Sequence, residues 1–148
     1  MANLARNKKA FFDYEILEEI EAGLVLKGYE VKSVKLRHMS LKGSFVSVHG
    51  GELFLTNASI PLYKQATVSD YDPTVSRKLL VKRKQIDRLT GKAQADKLTL
   101  VPLSVYNKQG RLKLSFALAK GKKKFDKRQV IKQREDDVRI GRTMRQRH

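Results

Sequence analysis

The chain has 148 residues, 41% of them hydrophobic, with 32 Lys and Arg against 15 Asp and Glu and a net charge of +17. That is one domain's worth of chain with enough apolar content for a core, and its charge leaves nucleic acid, an anionic membrane surface or acidic proteins as partners. Cysteine is absent, which excludes disulfides, thiolate metal sites and cysteine nucleophiles.

Met1-Ala2-Asn3-Leu4-Ala5-Arg6 is not followed by the apolar run of a signal peptide. No stretch approaches the roughly 18–20 apolar residues that span a bilayer. A cytoplasmic protein is therefore expected. Residues 11–26 carry Phe11, Phe12, Tyr14, Ile16, Leu17, Ile20, Leu24 and Leu26. Their glutamates favour helix, while the aromatics and Gly23 favour strand. Residues 29–36 are equally divided: Tyr29, Val31 and Ser33 alternate like a strand, yet Val31 and Val34 share a helical face.

Phe45-Val46-Ser47-Val48 and Leu53-Phe54-Leu55, joined through Gly50-Gly51, read as a hairpin whose glycines supply the positive φ of a tight turn. Asp72-Pro73 reads as a helix cap with proline at the first position. Residues 74–90 then read as a helix ending at Gly91. Leu79, Leu80, Ile86 and Leu89 gather on one side, and Arg77, Lys78, Lys82, Arg83, Lys84 and Arg88 face outward. Residues 98–119 give the clearest strand signal, with Leu112, Leu114, Phe116 and Leu118 alternating with Arg111, Lys113, Ser115 and Ala117 after an Asn107-Lys108-Gln109-Gly110 turn. Several strands, Gly turns and one clear helix point to a small antiparallel barrel or strongly curved sheet.

The pattern stops after Lys120. Residues 119–148 hold twelve Lys and Arg against four acidic residues, a net of +8, which leaves +9 on residues 1–118. Six larger apolar side chains cannot offset a backbone ordering cost of roughly 1–2 kcal/mol per residue, so this arm is expected to be disordered alone. A folded basic body with a basic arm is the composition of a protein that docks on a polyanion and threads a tail along it. The arm lacks the apolar stripe of a membrane-surface helix, which puts RNA first. The scattered histidines His38, His49 and His148 have no ligand spacing, and no acid/base pair or phosphate-cradling Gly loop is visible. Neither enzyme chemistry, nor a metal, nor a cofactor is expected.

Most of these residues also have plain roles. A charge run is usually a solvated face, Lys113 reads as a solubilising residue on a strand, Leu80 as core, and Glu21 as a surface salt-bridge partner. Tyr63, Tyr71 and Tyr106 read as packing elements, although each could stack on a base.

One set of short motifs changes that balance. Asn7-Lys8-Lys9-Ala10, Tyr14, Glu21-Ala22-Gly23-Leu24, Leu26-Lys27-Gly28, Glu30-Val31-Lys32-Ser33, Gly51-Glu52, Asp72-Pro73, Arg77-Lys78-Leu79-Leu80, Leu89, Gly91, Lys113, Lys120-Gly121-Lys122-Lys123 and Asp126-Lys127-Arg128 occur in that order and spacing. Each is weak alone; together they are specific. The chain resembles the SsrA-binding protein (small protein B) family over nearly its whole length. The resemblance implies a mainly β fold, a six-stranded antiparallel barrel of oligonucleotide-binding type with about three helices. In it residues 13–22 are a strand and roughly 29–37 a helix.

It further implies two parts, an RNA-binding body over 1–120 and a basic tail over 121–148. The partners implied are the tRNA-like domain of transfer-messenger RNA and the decoding centre and mRNA channel of the small ribosomal subunit. The activity implied is delivery of that RNA, by a non-enzymatic monomer, to stalled ribosomes. Carried over by position, Asn7, Glu21, Arg77, Lys78, Leu80, Lys113 and Lys120 contact or position RNA. Gly121, Lys122, Lys123, Phe125, Asp126, Lys127 and Arg128 match the decoding-centre junction, and Ile131, Lys132, Arg134, Val138, Arg142 and Met144 the channel-binding tail. Departures are Phe125, where many relatives have His or Tyr, Val75, where Arg is common, and the acidic Asp136-Asp137. A ribosomal or general RNA-binding barrel without a rescue role is the alternative, but it gives no reason for these motifs to occur together.

Overall fold

The computed structural model describes residues 3–64, 66 and 68–122. Seven strands and three helices follow in the order β1 (Asn3–Arg6), α1 (Lys8–Asp13), β2 (Tyr14–Leu24), α2 (Gly28–Lys35), β3 (Phe45–His49), β4 (Glu52–Thr56), β5 (Arg77–Leu80), α3 (Arg83–Ala95), β6 (Thr99–Lys108) and β7 (Arg111–Gly121). All pair antiparallel in one sheet of order β1-β6-β7-β2-β5-β4-β3. The mainly β architecture with three helices is as expected. Among the described residues the strands number seven rather than six. The sheet curls until β3 lies beside β6, yet among the described residues no ladder joins them, so the ring stays open.

The glutamate-rich segment becomes strand β2 because β7 offers it nine paired positions, from Tyr14 opposite Gly121 to Gly23 opposite Lys113. Backbone ladder bonds and burial of alternate side chains outweigh a helix propensity worth only tenths of a kcal/mol per residue. The ladder slips between Ile16 and Glu18. That bulge inverts the alternation: Ile16 packs with a small cluster of Ala10, Val101, Leu103, Ala117 and Ala119, whereas Ile20 and Ala22 enter the main core. A second bulge, between Pro102 and Ser104, does the same in β6, sending Leu103 to one side and Val105 to the other. Phe116, Leu114, Leu118, Leu53, Leu55, Ile60 and Leu79 fill the main core.

Both hairpins turn in two residues at positive φ, Gly50 and Gly51 in one, Gln109 and Gly110 in the other, the geometry that matches strand twist. In α2 the Glu30 carboxylate accepts from the Lys27 amide at 3.0 Å, which satisfies one open N–H of the helix start. The expected single helix over 74–90 is not found. Residues 77–80 are strand β5, with Arg77 and Leu79 inward, and α3 begins only at Arg83 and runs past Gly91 to Ala95. Asp72 caps no helix; its Oδ1 accepts from the amide and hydroxyl of Thr74 in a local turn. No described helix is long and apolar enough to cross a membrane.

Candidate nucleic-acid interface

Strand register assembles one row on the outer face of the sheet. Leu80 on β5 sits opposite Gly23 on β2, Gly23 opposite Lys113 on β7, and Lys113 opposite Tyr106 on β6. Four strands thus present, side by side, an apolar side chain, a bare backbone, a cation and an aromatic ring. Leu80 is 57% exposed, although a leucine beside Leu79 reads as core; strand alternation turns the two to opposite faces. Gly23 leaves the space that Leu80 leans over. A Cβ there would stand 3.1 Å from Leu80 Cβ and 3.3 Å from its Cδ1.

Glu21 lies two residues from Gly23 on the same face of β2. Tyr106 Oη donates to Glu21 Oε2 at 2.5 Å, and Lys108 Nζ donates to both carboxylate oxygens at 3.3 Å. The hydrogen bond from Tyr106, followed by the bond and charge of Lys108, holds the Glu21 carboxyl below its ordinary 4.5. Burial, and then the Glu21 carboxylate, push the Tyr106 phenol well above its ordinary range. The pair stays as phenol and carboxylate. Glu21, Lys108, Gln109, Arg111 and Lys113 line one shallow open depression. Lys108 and Arg111 were not proposed as site residues from the sequence, and Tyr106 only as one of three tyrosines that could stack on a base; the register of a two-residue turn at Gln109-Gly110 is the signal that puts Tyr106 opposite Lys113.

Arg77 is not on this surface. It is 3% exposed, and its guanidinium is used inside: Nη2 and Nε donate to Glu30 Oε2 at 2.7 and 3.0 Å, Nη1 to the Ala58 carbonyl at 2.8 Å, and Nη2 to the Pro73 carbonyl at 2.9 Å. Tyr71 Oη donates to the Ile60 carbonyl at 2.6 Å and reaches Glu30 Oε2 at 3.3 Å. The expected cationic helix face is thereby corrected: Arg77 ties α2, β5 and the 58–73 connection together in the interior. Other cations of that segment are also engaged, Lys78 with Glu52 at 3.0 Å, Arg83 with Asp87 at 3.6 Å and Arg88 with Glu18 at 2.6 Å.

Asn7 is buried too. Its Nδ2 donates to the Pro102 carbonyl at 2.9 Å and its amide to the Leu103 carbonyl at 2.8 Å. It clamps the β6 bulge. Lys120 and Gly121 are exposed at the far end of β7, and the Lys122 amide and Nζ donate to the carbonyls of Asp13 and Phe11 at 2.8 and 3.3 Å. Gly121 lies eight steps along β7 from Lys113, roughly 27 Å of strand at 3.4 Å per residue. Of the remaining expected residues, Lys123, Phe125, Asp126, Lys127, Arg128, Ile131, Lys132, Arg134, Val138, Arg142 and Met144 lie outside the described residues. No cluster of metal-ligating side chains occurs among the described residues.

Comparison with known proteins decides the family. Residues 4–146 match the family model described as SmpB protein. The chain belongs to the SmpB family. It is 47% identical over 143 residues to the SsrA-binding protein of Caldicellulosiruptor saccharolyticus, covering 97% of this chain and 90% of the relative. It is 51% identical over 136 residues to that of Neorickettsia sennetsu, covering 91% and 92%. A solved structure reported as "tmRNA-SmpB: a journey to the center of the bacterial ribosome" superposes with a TM-score of 0.66 at 41% identity, covering 85% of this chain and 92% of the other.

Proposed function

We propose that this SmpB-family chain binds the tRNA-like domain of transfer-messenger RNA and delivers it to stalled ribosomes in trans-translation. The observation that carries the reading is the outward-facing row of exposed Leu80 and half-buried Gly23, Lys113 and Tyr106, with exposed Glu21 beside it. Its parts suit a folded RNA elbow with unstacked bases: an apolar contact, a bare backbone for close approach, a phosphate cation, a ring for stacking and an acceptor for base or ribose donors. Family membership and the likeness to the tmRNA-SmpB structure support the same partners. The chain performs no chemistry in this reading; its work is recognition and placement.

The division of labour follows from the length of β7. RNA is held at the Lys113 end, and the chain leaves from the Gly121 end, anchored by Lys122 to α1. Residues 121–148 are the part we assign to the decoding centre and the vacant mRNA channel, where their net positive charge meets phosphate-lined walls. Deleting residues 126–148 is expected to leave tmRNA affinity nearly intact, measured by gel shift, while abolishing rescue of stalled ribosomes in a reconstituted translation assay. Loss of all RNA affinity on truncation would overturn the two-part assignment.

A further inference from the structure

Glu21 is out of place on a surface built to attract phosphate, since a lone carboxylate there repels the ligand. Its surroundings give it a use. The carboxylate is gripped asymmetrically: Oε2 accepts from both Tyr106 and Lys108, while Oε1 accepts only from Lys108. A carboxylate offers about four lone-pair sites, so these three contacts leave Oε1 with capacity for another donor. Tyr106 reaches Glu21 from two strands away. Ser115, which pairs with Glu21 on the intervening β7, is small enough to let the phenol pass over it. The bond therefore fixes both partners: it aims the carboxylate and lays the Tyr106 ring beside Lys113.

We infer that Tyr106 is a positioning residue for RNA recognition, orienting Glu21 so that its Oε1 accepts a hydrogen bond from an unpaired nucleotide, through a base N–H or a ribose 2′-OH. The inference rests on the RNA face assigned above and adds to it a specificity element. Lys108 offsets the charge of Glu21, and Tyr106 sets its direction. Phosphate offers no donor to such a group, so the site selects nucleosides over backbone. A carboxylate without a directing partner would swing between several rotamers and lose that selectivity.

The deciding variant is Tyr106→Phe, which keeps the ring and removes only Oη. Full-length protein and the transcribed tRNA-like domain of tmRNA are used, with thermal unfolding of each variant as the folding control. Tyr106→Phe is expected to weaken binding about tenfold, the scale of one hydrogen bond to a charged group. Glu21→Ala should weaken it at least as much, and the double variant no more than Glu21→Ala alone, because the phenol acts through the carboxylate. In RNA-free protein, carbon NMR of the Glu21 carboxyl should show its pKa rise toward the ordinary value of 4.5 in Tyr106→Phe. A purely structural tyrosine would leave that titration in place.

Nucleotide substitutions in the RNA identify the donor. Loss of one exocyclic amino group (inosine for guanosine, for example) or of one 2′-OH should weaken wild-type binding and leave Glu21→Ala unaffected. If no such substitution separates the two proteins, or if Tyr106→Phe binds as wild type while Lys113→Ala and Leu80→Ala are impaired, the inference is overturned and the RNA face stands. If Lys113→Ala, Leu80→Ala and Glu21→Ala all bind as wild type, the face itself is wrong and the inference falls with it.

Discussion

Glu30 and Glu21 make the same chemical unit, a carboxylate held by a tyrosine hydroxyl and a cation, in opposite surroundings. Around Glu30 the partners are half-buried Tyr71 and buried Arg77, and every Arg77 contact stays inside the protein. Around Glu21 they are Tyr106 and Lys108, on an open face. The difference lies in what each cation can spare. Arg77 is a planar fork with its N–H groups committed to a carboxylate and two carbonyls, a rigid joint between three segments. Lys108 is a flexible, solvated point charge that neutralises Glu21 and leaves an acceptor free. One cluster holds the fold and the other serves a ligand.

Breaking the buried cluster should have the largest effect. Arg77→Ala takes the cation from the buried Glu30 carboxylate and leaves it only the Lys27 amide and the Tyr71 hydroxyl as donors, and removing one partner of a buried pair costs about 3–5 kcal/mol. Urea unfolding should show that loss. RNA affinity, measured on the fraction that remains folded, should be unchanged, which separates Arg77 from the RNA face. A direct phosphate role for Arg77 would give the reverse pattern.

Lys113→Ala sharpens the other side of the comparison. Its stability change should stay within about 0.5 kcal/mol, as for ordinary surface substitutions. Its RNA affinity should fall, with the slope of log K against log salt decreasing in magnitude by about 0.7–0.9 for one lost phosphate contact. A slope identical to wild type would remove Lys113 from phosphate binding.

The smallest effect belongs to a site in neither cluster. Gly91 is exposed inside α3, and a Cβ there meets nothing within 4 Å. Gly91→Ala should therefore stabilise the protein by about 0.4–1 kcal/mol through backbone entropy alone, read as a higher urea midpoint with unchanged RNA binding.

Some of this was legible in the residues. The β3–β4 and β6–β7 hairpins follow from alternation and glycine turns, and both strands of each lie where the pattern puts them. Leu79-Leu80 was misread with the helix because two adjacent leucines fit a 3.6-residue stripe as well as the edge of a strand. Only pairing with Gly23 and Leu24 of β2 settles it. The cationic run misled for a related reason. Charge type is written in the sequence, but whether a cation faces solvent or a buried glutamate 47 residues away, as Arg77 faces Glu30, is not. Tyr106 gave no signal that set it apart from the other tyrosines, since its partner Glu21 is 85 residues distant.

By itself the sequence determined the basic balance, the absence of thiol chemistry, the loss of apolar patterning after Lys120, and the motif order that belongs to one family. These depend on composition and local spacing, which a linear chain carries in full. Tertiary structure alone decided which charges are spent on the fold and which remain for a partner. Two bulges decided which face each strand residue occupies, because a one-residue slip in register inverts every side chain beyond it, and nothing local to the strand records where its neighbour slips.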